Sequence, residues 1–194
     1  MNPSTNKKYF QLTQEQIDKV GNAMIYLSQK IPEISKTKML KLLYLLDEFS
    51  IKKSGIPFFN LQYKVWKLGP VANDIFVELS DRLCLFGKYI KVKADNDKIT
   101  IYPKAEFSDD EFSDNNIDVL NAIVDTYRTS TAAELINLTH MPNSLWRKTA
   151  EENGVYELLK NGCINSTDFV IDMGNLVSDD ELKNWMYQHY IEEN

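Results

Sequence analysis

The chain has little of what enzyme active sites are usually built from. Two histidines and two cysteines are all that 194 residues contain. No G-x-S-x-G, H-E-x-x-H, G-x-x-x-x-G-K-[ST] or G-x-G-x-x-G pattern occurs, so the motif-based routes to acyl transfer, zinc hydrolysis and nucleotide binding are closed. Cys84 and Cys163 are too few and too far apart for a disulfide framework, and two reduced, partly buried thiols are expected. Cys84, among Leu83, Leu85 and Phe86, reads as a core thiol. No apolar run nears the roughly 18 residues of a membrane span; the longest, residues 39–46, is broken by Lys41. The first residues lack the apolar stretch of a secretory leader, so the cytoplasm is the expected location. No metal and no cofactor are expected. The cluster Asp109, Asp110, Glu111, Asp114 lacks calcium-loop spacing and its glycine, and is expected to load the N-terminus of a following helix.

What is present is unevenly distributed. Net charge is −6, which argues against general nucleic-acid binding. Residues 30–70 nevertheless carry eight lysines against three acidic side chains, a net +5, and residues 106–194 carry a net −13. The basic stretch interleaves Lys36, Lys38, Lys41, Lys52, Lys53, Lys64 and Lys67 with Tyr44, Tyr63 and Trp66, a pattern that tracks phosphates and stacks on bases. Arginine, which makes the common guanine contact, is nearly absent there. Nucleic acid therefore stays a secondary expectation.

Periodicity predicts a mainly α domain (α+β) of six to seven helices with a small β part. Thr13-x-x-Gln16 opens the first helix as a capping box, and Ile17, Val20, Met24, Leu27 and Ile31 form its stripe. Ser35 caps a second, whose inner face is Met39, Leu42, Leu43, Leu46 and Phe49, stopped by Gly55 and Pro57. Asp47 and Glu48 are expected on its outer face or paired with a nearby lysine. Residues 61–67 alternate as a strand. Gly69-Pro70 turns the chain, with Pro70 at the first position of a helix over 71–85. A hairpin is predicted around Asp95-Asn96-Asp97. Residues 107–116 form an acidic connector, the best place for a seam in an otherwise single domain. Further helices follow from Ile117, from Thr131-x-x-Glu134, from Asn143 or Ser144 and from Ser178-x-x-Glu181. Phe169 and Ile171 suggest one more short strand, and Leu182, Trp185, Met186 and Tyr190 an apolar stripe on the last helix. Of Trp66, Trp146 and Trp185, most are expected in the core.

One combination of motifs carries more. Lys41-Leu42-Leu43-Tyr44, Gly55-Ile56-Pro57, Tyr63 and Trp66, Gly69-Pro70, then Thr139-His140 and Trp146 resemble, in order, the motifs of the Panacea domain, the family of SocA-like antitoxins and phage-associated proteins. Asp47 stands where many relatives carry an aspartate. The resemblance implies a non-catalytic module that binds and neutralises a cognate toxin encoded beside it. At least one relative delivers its toxin to a AAA+ protease, and others occur in phages and mobile elements. A host-interaction factor or a nucleic-acid-binding regulator is the alternative. Candidate partner contacts are Tyr63, Trp66, Lys67, Asp47, His140 and Trp146. Lys41, Leu42, Leu43, Tyr44, Gly55, Pro57, Gly69 and Pro70 are expected to hold the fold. The acidic C-terminal half is compatible with a basic toxin, whose binding would then weaken with salt.

Overall fold

A computed structural model of the chain describes residues 12–80, 83–96 and 98–193. Among these the fold is mainly α, with eight α-helices, one 3₁₀ turn and two antiparallel two-stranded sheets. Helix α1 (Gln14–Lys30) starts at the expected capping box, where Thr13 and Gln16 bond reciprocally. The Gln16 amide also donates to the carbonyls of Phe59 and Asn60, so the same cap fastens a distant loop.

Helix α2 (Lys36–Ser54) is the axle of the molecule. Ser35 caps it, and every residue from Lys38 to Asp47 is buried. An apolar stripe normally covers one face of a helix; this one is covered all round. It touches α4 (Asp114–Tyr127), α5 (Ala132–Thr139), α8 (Glu181–Glu193), the 3₁₀ turn (Met173–Leu176) and both sheets. Phe49, expected inside, is 41 % exposed. The buried row passes through Ser50 and Ile51 instead, because the Ser50 hydroxyl donates to the Ile56 carbonyl and holds the following turn. Gly55 ends the helix with φ at 78°. A Cβ there would also strike the Lys183 carbonyl of α8, so this glycine serves a left-handed cap and a close helix crossing together.

After α2 the chain makes a tight hairpin of β1 (Lys64–Trp66) and β2 (Gly69–Val71), with Val65 opposite Pro70 and Trp66 opposite Gly69. Pro70 is therefore in a strand, not at the head of a helix. It has no N–H to leave unpaired there, and its carbonyl has a buried partner. The helix that follows, α3 (Asn73–Glu78), is much shorter than the predicted 71–85. Glu78 is fully buried and turns back to accept the N–H groups of Cys84, Leu85 and Phe86 at 3.2, 2.8 and 3.3 Å. The backbone of 84–86 bonds this carboxylate instead of a helical turn. Cys84 is exposed, as is Cys163, so neither thiol is in the core.

The predicted hairpin is β3 (Ile90–Asp95) and β4 (Lys98–Pro103); the last residue of the Asp95-Asn96-Asp97 motif lies outside the described residues. A bridge from Ser35 to Thr100 and the Ile101 N–H on the Ile34 carbonyl fix this hairpin to the start of α2. The acidic connector is anchored by its aromatics: Phe107 packs on Tyr26, and Phe112 on Phe58 and Phe107. Residues 169–171 run antiparallel to β1 but form one bridge only, through the Val65 N–H to Phe169 and the Ile171 N–H to Tyr63.

Between them stand α6 (Leu145–Glu152) and α7 (Tyr156–Lys160). At the end of the chain, Asp180 and not Ser178 caps α8: its carboxylate accepts the Lys183 N–H, while the Ser178 hydroxyl turns to Asn175. The register of the helix moves accordingly. Leu182 and Trp185, expected to face inward, are 69 % and 59 % exposed, and Tyr187 packs against the core in their place.

Candidate functional site

The motif residues, scattered over a hundred positions, converge on the buried middle of α2. They do so around two ionic side chains. Towards the C-terminal part of the helix, Asp47 is 1 % exposed. Its carboxylate accepts N–H bonds from Phe59 at 2.7 Å, Asn60 at 3.2 Å and Leu61 at 3.4 Å, and the Tyr63 hydroxyl at 2.8 Å. Burial pushes its carboxyl up and these donors pull it back, with burial the larger effect. The expectation of an outer-face aspartate is overturned: the loop that reverses after Pro57 has no other acceptor for its N–H groups. Tyr63 is buried against Tyr44 edge-on, ring centres 5.1 Å apart.

Nearer the N-terminus of α2, Lys41 is also 1 % exposed, and its ammonium donates to the Pro70 carbonyl at 2.8 Å. Among the described residues no carboxylate joins it, and burial lowers its pKa to about 7. Gly69 makes this approach possible. With φ at 98°, a Cβ on it would lie 2.6 Å from the Thr139 hydroxyl and 3.0 Å from the Lys41 side chain. The Gly-Pro motif is thus the lid over a buried amine, which explains why its two residues are these.

The second half of the motif supports the hairpin from outside. His140 faces two backbone carbonyls, that of Ile136 through Nδ1 at 2.6 Å and that of Lys67 through Nε2 at 3.1 Å. Burial lowers its pKa, with the charges of Lys41 and Arg147 adding to that, so the neutral ring donates to one carbonyl at a time. Its ring lies 3.7 Å from that of Trp146. Trp146, buried, donates to the Trp66 carbonyl at 2.9 Å, and Trp66 donates to Thr167 at 3.2 Å. Asp47, Tyr63 and Trp146 therefore lie out of solvent, while Trp66, Lys67 and His140 are at least partly exposed.

Trp66 and Lys67, but not His140, line a groove of about 330 Å³ between the start of α2, the β1–β2 hairpin, α3 and residues 165–166. Leu40, Trp66, Leu68, Val71 and Phe76 wall it, with Lys36, Lys41 and Lys67 as its charges. Leu68, Phe76 and Val71 were not singled out as site residues from the sequence; they follow once Gly69-Pro70 is known to close a hairpin. A larger hollow of about 550 Å³ lies over Asp47, between α2, residues 170–173 and Tyr187. Asp47 has no acceptor capacity left to offer there.

The basic stretch does not form a phosphate track. Lys38 is buried and donates to the carbonyls of Arg128 and Ser130, Lys41 is buried, and Tyr44 and Tyr63 are inside. Lys52 and Lys64 pair with Glu48 and Asp168. Among the described residues no three His, Cys, Asp or Glu side chains cluster as a metal site, and no helix is long and apolar enough to cross a membrane.

Comparison with the curated proteins and with the solved structures returns no match. Residues 39–147 match the family described as Antitoxin SocA-like, Panacea domain. The matched segment runs from the start of the buried stretch of α2 to α6, and contains Lys41, Asp47, the hairpin, His140 and Trp146. It covers more than half of the chain, and the protein belongs to the SocA-like antitoxin, Panacea-domain family.

Proposed function

We propose that this protein is a non-catalytic antitoxin that binds a cognate toxin, encoded beside it, and neutralises it in the cytoplasm. Neutralisation works either by direct blocking or by delivering the toxin to a AAA+ protease. The observation that carries the reading is the family match, which spans the segment where every motif residue converges. The geometry is in keeping with it. Two of the polar motif side chains, Asp47 and His140, spend their hydrogen bonds on backbone and on Tyr63, an arrangement that shapes a surface instead of acting on a substrate.

Co-expression with the neighbouring reading frame tests this directly. The expected result is growth arrest by the neighbour alone, rescue by this chain, and co-purification of the two. Rescue that disappears in a protease-deficient host would assign the delivery route, and rescue that persists would assign blocking. A neighbour that is neither toxic nor bound would sink the proposal.

A further inference from the structure

The groove beside Lys41 differs from the rest of the surface in a way that specifies what fits it. Its walls are apolar, and one of them, Leu68 at the hairpin tip, is 50 % exposed. Among the described residues no carboxylate lines it. Its lysines have no acidic partner among the described residues. The Lys36 ammonium lies over the Phe76 ring at 3.5 Å and bonds the Ser80 hydroxyl, while Lys67 makes no ion pair. At the floor, Lys41 gives one bond to Pro70 and has two further donor positions. An apolar trough with cations on its rim and at its base is complementary to an apolar side chain flanked by carboxylates. The acidic balance of the C-terminal half suggests a basic partner; here the local charge has the opposite sign.

We infer that this groove is the docking site for an acidic segment of the partner protein, with an apolar anchor seated against Leu40, Leu68, Val71 and Phe76 and its flanking carboxylates on Lys36 and Lys67. The inference deepens the proposed function and rests on it for the partner's being a protein. Burial of the anchor supplies affinity, and the lysines supply orientation and rate. Lys41, close to half-protonated near neutral pH, is held in its charged form when a carboxylate arrives.

The test uses the full chain and a probe that needs no toxin. The probe is an acetylated hexapeptide with two glutamates on each side of a leucine–phenylalanine pair; a second carries lysines in place of the glutamates. Methyl and amide NMR follows Leu40, Leu68, Val71 and the Trp66 indole. The expected result is saturable shifts at these positions with the acidic peptide only. Affinity should fall about tenfold or more in Lys67→Glu and Leu68→Glu, both exposed and with unchanged melting, and stay unchanged in Lys53→Glu at the far end of α2. Equal shifts from the basic peptide, or none from the acidic one at millimolar concentration, would overturn the inference. So would a dimer in sedimentation that Leu68→Glu dissociates, since a second copy would then fill the groove. The co-expression experiment reads the antitoxin function separately. Rescue retained by Lys67→Glu and Leu68→Glu would remove the groove from the interface while leaving that function standing.

Discussion

Lys41 and Asp47 stand on the same helix, equally buried, and their surroundings could hardly differ more. Asp47 is surrounded by donors: three backbone N–H groups and one phenol. Lys41 has one carbonyl and no counter-charge. A buried charge costs several kcal/mol in lost hydration unless its partners replace the water. Asp47 recovers part of it from four donors, although burial still pushes its carboxyl up; Lys41 has a single acceptor, and its pKa is lowered to about 7. Glu78 belongs with Asp47, since it too is buried and collects three N–H groups of a loop. The carboxylates of this core organise backbone. The amine keeps unused donor capacity beside a groove, which is the kind of place where a ligand can contribute what the fold does not.

The comparison can be broken most forcefully at Asp47. Replacing it with alanine leaves three buried N–H groups and the Tyr63 hydroxyl without an acceptor, and should cost about 3 kcal/mol or more. Urea denaturation followed by circular dichroism measures it, and a loss under about 1 kcal/mol would mean the loop finds other acceptors. Gly69→Ala comes next, at about 1–3 kcal/mol, from the positive φ and the clash with Thr139 and Lys41. The same denaturation series should place it between Asp47→Ala and surface changes.

The third way is through pH, where Lys41 leads and the burial-lowered Lys19, Lys36 and Lys38 act in the same direction. In the unfolded chain its amine holds a proton up to about pH 10.5, whereas the native amine releases it near 7. Unfolding then takes up a proton, and stability rises with pH across that window, by about 2 kcal/mol between pH 7 and 9. His140, with its pKa lowered, titrates below this range. The buried phenols of Tyr44 and Tyr63, raised by burial, act above it. Lys41→Met should flatten the rise without unfolding the protein, since an apolar chain of similar length suits the site. A slope that survives in Lys41→Met would assign it to another lysine. The smallest effect belongs to an exposed carboxylate that also accepts backbone N–H. Asp180→Ala should lower the melting temperature slightly and Ser178→Ala should not, because Asp180 holds the α8 cap.

Local signals were readable wherever a few neighbouring residues decide the outcome. The boxes Thr13 with Gln16 and Thr131 with Glu134 formed as their spacing predicts, Ser35 and Ser144 capped their helices, and Gly55 adopted the left-handed cap. The failures have a common cause. Ser178-x-x-Glu181 has the same letters as the working boxes, but α8 begins at Glu181, so Asp180, the residue directly before it, captures the cap. Pro70 suits a helix start as well as a strand, and its pairing with Val65 decided between them. Of the three tryptophans, Trp146 is in the core, Trp66 half-buried and Trp185 largely exposed, stacked on His189. No periodicity separates these cases, because each depends on which element lies opposite. The candidate contacts divided in the same way: Trp66, Lys67 and His140 reach the surface, while Asp47, Tyr63 and Trp146 support it from below.

By itself the sequence determined the mainly helical class, the caps of the first two helices and of α5, the lysine-bearing hairpin and, through an ordered set of motifs, the family; these depend on spacing over a few residues and survive any arrangement of the rest. Only the tertiary structure decided that Asp47 and Lys41 lie inside, that one is saturated and the other is not, and that an apolar groove opens beside the second. Burial and hydrogen-bond partnership are properties of what packs against a residue, and for both side chains those partners come from the loop and hairpin that fold back onto α2.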